Sequence, residues 1–177
     1  MTTDTVAFVS TLVASVLNAE PSERAAVLEP SLRTKYAAAL TMGRKAARSL
    51  SSADRERYLK AFTPYWTARV TEVFLGIGPV SPGAACEDKP TAHRVSATAS
   101  QSPQDPTRTL TVTYRLKSDV DGSNLLLTDM DIEGVSVLTT EKQVIQNLLQ
   151  SDGFEAVLTS LEARIRREGE GPFTRSG

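Results

Sequence analysis

The chain has 177 residues, 40% of them hydrophobic and 23% charged, with a formal net charge of −1. That length and balance describe a single globular domain large enough for a real core, and the near-zero charge argues against a global attraction to nucleic acid. A lone cysteine, Cys86, excludes an intramolecular disulfide and reads as a small loop or packing residue, and no apolar run approaches the roughly 18 residues that a membrane-spanning helix needs.

Met1 to Asp4 lacks the basic start and apolar stretch of a signal peptide, as expected of a cytosolic chain or of an exported one in mature form. From Asp4 to Ala19, Val6, Val9, Leu12, Val13, Val16 and Leu17 recur at intervals of three and four, which predicts an amphipathic helix closed by Pro21. Ser22 to Leu28 and Ser31 to Leu40 follow as two helical pieces divided by Pro30, with Leu28, Leu32, Tyr36 and Leu40 on the inward side. Ser51 and Asp54 have capping-box spacing at the head of a long helix. Tyr58, Phe62, Tyr65, Trp66, Val73, Phe74 and Ile77 form its aromatic stripe, and Pro64 should kink or divide it.

Gly76 to Pro90, rich in glycine and proline, reads as a long connection. Arg94 to Ser100 and Thr109 to Lys117 alternate like strands, separated by a hairpin loop from Ser102 to Pro106, and Asp121-Gly122 marks a further turn. Such short connections favour antiparallel pairing. The segment Asp129 to Ser136 alternates apolar Met130 and Ile132 with acidic Asp129, Asp131 and Glu133, the period of a half-buried strand. A solvated acidic face is the first reading of those carboxylates, and a metal or acid-base cluster is the alternative.

Thr140 and Gln143 have capping-box spacing at the start of the next helix, whose stripe is Val144, Ile145, Leu148 and Leu149. Ser151-Asp152-Gly153 breaks that pattern, Asp152 and Glu155 repeat the capping spacing, and Phe154, Val157, Leu158, Leu161 and Ile165 form a last apolar stripe. Residues 1–167 read as one domain, and Glu168 to Gly177 as a loose polar tail.

The chain offers little from which to build a catalytic constellation. His93 is the single histidine, and neither a phosphate-binding glycine loop nor the G-x-S-x-G or H-E-x-x-H spacing occurs. Charge is less even than the total suggests. Arg33, Lys35, Arg44, Lys45, Arg48, Arg55, Arg57, Lys60 and Arg69 face only Asp54 and Glu56 over the same stretch. That excess reads either as solvated helix faces or as a basic surface suited to anionic headgroups or an acidic partner.

The run Asp129-Met130-Asp131-Ile132-Glu133-Gly134-Val135-Ser136, followed by Gly153-Phe154, Val157 or Leu158, and Leu161, resembles the MlaC family of periplasmic phospholipid carriers, also called toluene-tolerance auxiliary proteins. The helical outline of Leu40 to Arg48 and Arg55 to Phe74 is similar as well. Leu125 stands where that family carries a tryptophan, and Glu141-Lys142 where it carries an aromatic-arginine pair.

The resemblance implies an α+β fold in which helices wrap a small curved antiparallel sheet, a variant of the nuclear-transport-factor-two-like fold with an apolar cavity. It implies a soluble lipid carrier rather than an enzyme, with no cofactor and no metal. Its partners would be phospholipid or a hopanoid-related lipid, an inner-membrane ABC transporter complex with a mammalian-cell-entry-type subunit, and an outer-membrane lipoprotein complex. Strand alternation and helical spacing then assign a lipid-facing set: Phe62, Trp66, Val70, Phe74, Val112, Tyr114, Leu116, Met130, Ile132 and Val135. Arg44, Lys45 and Arg48 are the docking or headgroup candidates. A small cyclase or isomerase on a similar cone-shaped fold, or a protein interaction module, are the alternatives, and His93 or an aspartate facing the pocket would mark the enzyme.

Overall fold

Residues 4–77, 80–89, 91–102, 105–119 and 124–169 are described by a computed structural model. The first helix, α1 (Thr5–Asn18), is capped by Asp4, whose Oδ1 accepts from the amides of Val6 and Ala7, and it buries Val9, Leu12, Val13 and Val16. α2 (Arg24–Leu28) runs into a 3-10 turn (Glu29–Ser31) that holds Pro30, and α3 (Thr34–Met42) begins after it. Because α3 starts at Thr34, its inward face is Ala37, Ala38, Thr41 and Met42. Tyr36, expected inside, is turned outward beneath the Arg33 guanidinium, 4.6 Å from its ring centroid.

Gly43 joins α3 to α4 (Arg44–Ser49) with φ of 79° and ψ of 155°, a conformation that side chains rarely tolerate. α5 (Ser52–Ile77) carries the expected box, since Ser51 Oγ accepts from the Asp54 amide and donates to its carboxylate. Pro64 does not divide this helix. The helix is held through that point by an almost continuous buried side of Tyr58, Phe62, Tyr65, Trp66, Val70, Val73 and Phe74, whose burial outweighs one missing backbone bond.

Among the described residues, five strands pair antiparallel in chain order: β1 (Val80–Lys89), β2 (Ala92–Ser102), β3 (Asp105–Ser118), β4 (Leu125–Ile132) and the two-residue β5 (Val135–Ser136). β1 replaces most of the connection expected from Gly76 to Pro90. Its glycine and proline content misleads because β1 is an edge strand, where Pro82 can sit beside a register shift without costing the interior ladder a donor. The β2–β3 connection is shorter than expected, because Ser102 already pairs with Asp105. The Asp121-Gly122 turn lies outside the described residues.

β4 and β5 are joined by Glu133 (φ 51°) and Gly134 (φ 81°), two consecutive positive φ values of the kind that close a tight hairpin. α6 (Val137–Ser151) follows at once. Its cap is Ser136, which accepts from the Thr139 amide, rather than Thr140; the extended backbone ends at the hairpin, so helix formation begins four residues earlier than the box spacing suggested. α7 (Phe154–Gly169) continues two residues past Arg167, into the expected tail; residues 170–177 lie outside the described part. The Asp152–Glu155 box does not form as expected, since the Glu155 carboxylate is taken by Arg57 at 2.8 and 2.9 Å.

The fold is thus α+β, with helices packed about an antiparallel sheet. α1 and α5 lie against β2, α3 and α6 lie against β4, and α7 packs along α5.

Candidate functional site

The inner face of the sheet is set by alternation. Val95, Ala97 and Ala99 of β2 and Val112, Tyr114 and Leu116 of β3 point the same way, and the register pairs Val95 with Tyr114 and Ala97 with Val112. Met130 of β4 lies opposite Tyr114, and α5 supplies Phe62, Trp66, Val70 and Phe74. Of the ten residues assigned to lipid, these four and Val112, Tyr114, Leu116 and Met130 are each at most 2% exposed and belong to one apolar cluster. Ile132 packs against its margin, half-buried. Val135 does not join them: it is 63% exposed, directly after the hairpin turn.

Two polar atoms stand out inside this cluster. Trp66 Nε1 and Tyr114 Oη are buried without a hydrogen-bond partner among the described residues. Leaving such a donor unpaired costs about 1–3 kcal/mol. Burial also pushes the Tyr114 hydroxyl well above the usual tyrosine range, so it stays protonated and able to donate. Phe74 meets the Tyr114 ring edge-on at 6.1 Å, which fixes where that hydroxyl points.

The acidic residues of β4 are not a solvated face. Asp129 and Asp131 are each 8% exposed. Register places Asp129 opposite Arg115 and Asp131 opposite Thr113, on the sheet side away from Tyr114. Asp129 accepts from the Ser136 hydroxyl at 2.6 Å, the Leu138 amide at 2.9 Å and the Met130 amide at 2.7 Å, tying β4 to the head of α6. Burial raises its carboxyl above the usual range, against the opposing pull of these bonds. Asp131 Oδ2 receives Arg115 Nε at 2.9 Å and Nη2 at 2.6 Å. A cation therefore answers the charge of Asp131, and two backbone amides and a hydroxyl answer that of Asp129. Glu133, in the β4–β5 turn, accepts from the Thr111 amide of β3.

Glu141 is a buried carboxylate that periodicity could not single out. It receives Tyr65 Oη, Arg69 Nε at 2.9 Å and, more distantly, Arg164 Nη1 at 3.5 Å, joining α5, α6 and α7. Burial and the neighbouring carboxylate raise the Tyr65 hydroxyl above its ordinary range. These partners satisfy a carboxylate that is nearly closed to water.

The basic excess divides among separate duties. Arg57 pairs with Asp54 and Glu155, and Arg69 with Glu72 and Glu141. Arg44, Lys45 and Arg48 are exposed on α4, as a docking role requires. Arg33 lies elsewhere, in a groove shared with His93, Arg94, Arg115 and Lys117. His93 is half-buried with Nε2 3.2 Å from Ser118 Oγ, in that groove rather than among the apolar residues. No group of three or more His, Cys, Asp or Glu side chains among the described residues could hold a metal ion. The backbone of Cys86 pairs with Arg94 at the β1 edge; its side chain lies outside the described residues.

These features belong with a known family. A sequence model described as "MlaC protein" matches residues 17–163, so the chain belongs to the MlaC family. Among solved structures, the phospholipid-binding protein from Ralstonia solanacearum, determined in complex with a phospholipid, superposes with a TM-score of 0.71 at 15% identity, covering 94% of this chain and 99% of that one. At that identity the likeness speaks for the fold. No curated protein sequence matches. Membership indicates a binding and transport protein. Among the described residues, no helix is long and apolar enough to cross a membrane.

Proposed function

We propose that this protein is a periplasmic lipid carrier that encloses acyl chains between the inner face of the sheet and α5, and shuttles phospholipid or a related lipid between outer-membrane and inner-membrane transport complexes. The carrier domain would span residues 1–167, with α7 running on to Gly169. A lipid in water exposes its chains at about 0.8 kcal/mol per CH2, so a full chain amounts to on the order of 10 kcal/mol, which only enclosure can offset. The observation that carries the reading is the buried apolar set that includes Trp66 and Tyr114, whose two donors are unpaired among the described residues. Ester oxygens of an enclosed lipid would accept from both, offsetting a cost that a closed core would bear in full.

Val112→Glu and Met130→Glu test this. A carrier interior that can open admits a charge without unfolding, so both variants should keep the parent's circular dichroism while retained lipid falls about tenfold, the equivalent of 1.4 kcal/mol. In a packed core the same buried, unpaired carboxylate would cost about 3–5 kcal/mol and unfold the domain. Loss of the folded spectrum in both variants would contradict the proposal.

A further inference from the structure

A second candidate site lies where the head of α3 meets β2, β3 and β4. The groove of about 520 Å³ is walled by Arg33 and Tyr36 at the head of α3, His93 and Arg94 of β2, Arg115, Leu116 and Lys117 of β3, and Thr128 of β4. No carboxylate stands among these lining residues. Its walls are anchored by backbone, since the Arg33 amide donates to Leu127 O at 2.9 Å and Leu32 bridges to Leu127. Thr128 is the additional β4 residue at the register shift beside Arg115 and Leu116, which turns it toward the groove.

The charges here are arranged against their own repulsion. Register sets Arg94 directly opposite Arg115, a like-charge pair that destabilises a sheet unless something compensates it. Asp131 answers Arg115. Among the described residues, neither Arg33 nor Lys117 has an ion-pair partner, although both are half-buried. Arg33 rests instead on the face of Tyr36. Thr128 Oγ1 is buried without a hydrogen-bond partner. Two partly desolvated cations, a planar guanidinium and an unpaired hydroxyl, converging on one groove, match the donors that a phosphate group takes. Leu116 lines both this groove and the apolar interior, so a phosphate held here stays within reach of chains enclosed behind it.

We propose that this groove, centred on Arg33 and Lys117, is a phosphate-binding site, and that the phosphate it takes is the headgroup diester of the carried lipid. That second clause rests on the carrier reading, whereas the first stands without it. Two measurements on the full chain separate them. In the first, the protein is loaded from vesicles containing equal dioleoylphosphatidylglycerol and dioleoylglycerol, which share acyl chains and differ in the phosphoglycerol headgroup, and the retained lipids are quantified by mass spectrometry. The parent should favour the phospholipid about tenfold, and Arg33→Gln with Lys117→Gln should remove that preference while dioleoylglycerol uptake stays unchanged. The charge-conserving Lys117→Arg should keep it, which separates lost charge from a disturbed fold. In the second, backbone amide spectra are followed while sn-glycerol 3-phosphate is added.

A preference that disappears in the glutamine variant supports the headgroup assignment. A preference that persists there, with glycerol phosphate shifting the amides around Arg33 and Lys117 in the parent alone, supports the site and assigns it to a soluble phosphate ester. Neither effect overturns the site. A parent that takes up neither lipid removes the carrier reading by itself, and the titration then decides the groove.

Discussion

Asp129 shows how one side chain can join sheet, turn and helix while carrying a cost. Its oxygens receive the amides of Met130 and Leu138 and the hydroxyl of Ser136, which in turn caps α6. Burial nevertheless holds its carboxyl above the usual range. Between the ordinary carboxylate value of the unfolded chain and that raised value, the native state keeps a proton that the unfolded state has released. Stability contributed at this position therefore falls as pH rises through that window. Asp129→Asn keeps an acceptor for the two amides and removes the titration. Urea unfolding from pH 4 to 7 should show the variant gaining on the parent as pH rises, and parallel pH profiles would contradict the assignment.

At the scale of elements, what the sequence showed and what it hid follow from where burial is one-sided. α1, α5, β2 and β3 were legible because each presents one apolar side at a regular interval. β1 was hidden because an edge strand tolerates the proline and glycine that ordinarily signal a loop, and the Ser136 cap because a strand's last serine carries no helical period. The buried apolar face was legible by the same alternation, except at Val135, where a two-residue turn ends the strand pattern. The basic groove was not legible, since Arg33 reaches β4 through the pairing of Leu32 with Leu127, a contact between residues 95 positions apart that no local pattern carries.

α4 is the element on which docking can be tested without touching the interior. Arg44, Lys45 and Arg48 are exposed there. Gly43, whose Cβ would come within 2.5 Å of Gln146 Nε2, sets the close approach of this corner to α6. Exposed charges act over about 8 Å at physiological salt, so they should speed encounter with an anionic membrane or acidic partner without affecting retention. Reversing all three to Glu should slow transfer between anionic vesicles several-fold at low salt and flatten its salt dependence, with the amount of co-purified lipid unchanged. Equal transfer rates for variant and parent at low salt would return these residues to ordinary solvated positions.

For the whole molecule, helices and sheet enclose an apolar interior on one side of β3 and bury a network of paired acids on the other. Asp129 fixes α6 to the sheet, and Glu141 gathers α5, α6 and α7. The most direct test is native mass spectrometry of the protein purified without detergent, followed by organic extraction of the same sample. The account predicts a bound species with the mass of a two-chain phospholipid or related lipid, released on extraction and recovered on reloading from vesicles. A protein that runs at its bare chain mass, yields no lipid on extraction and takes up no labelled phospholipid at micromolar concentration would contradict it.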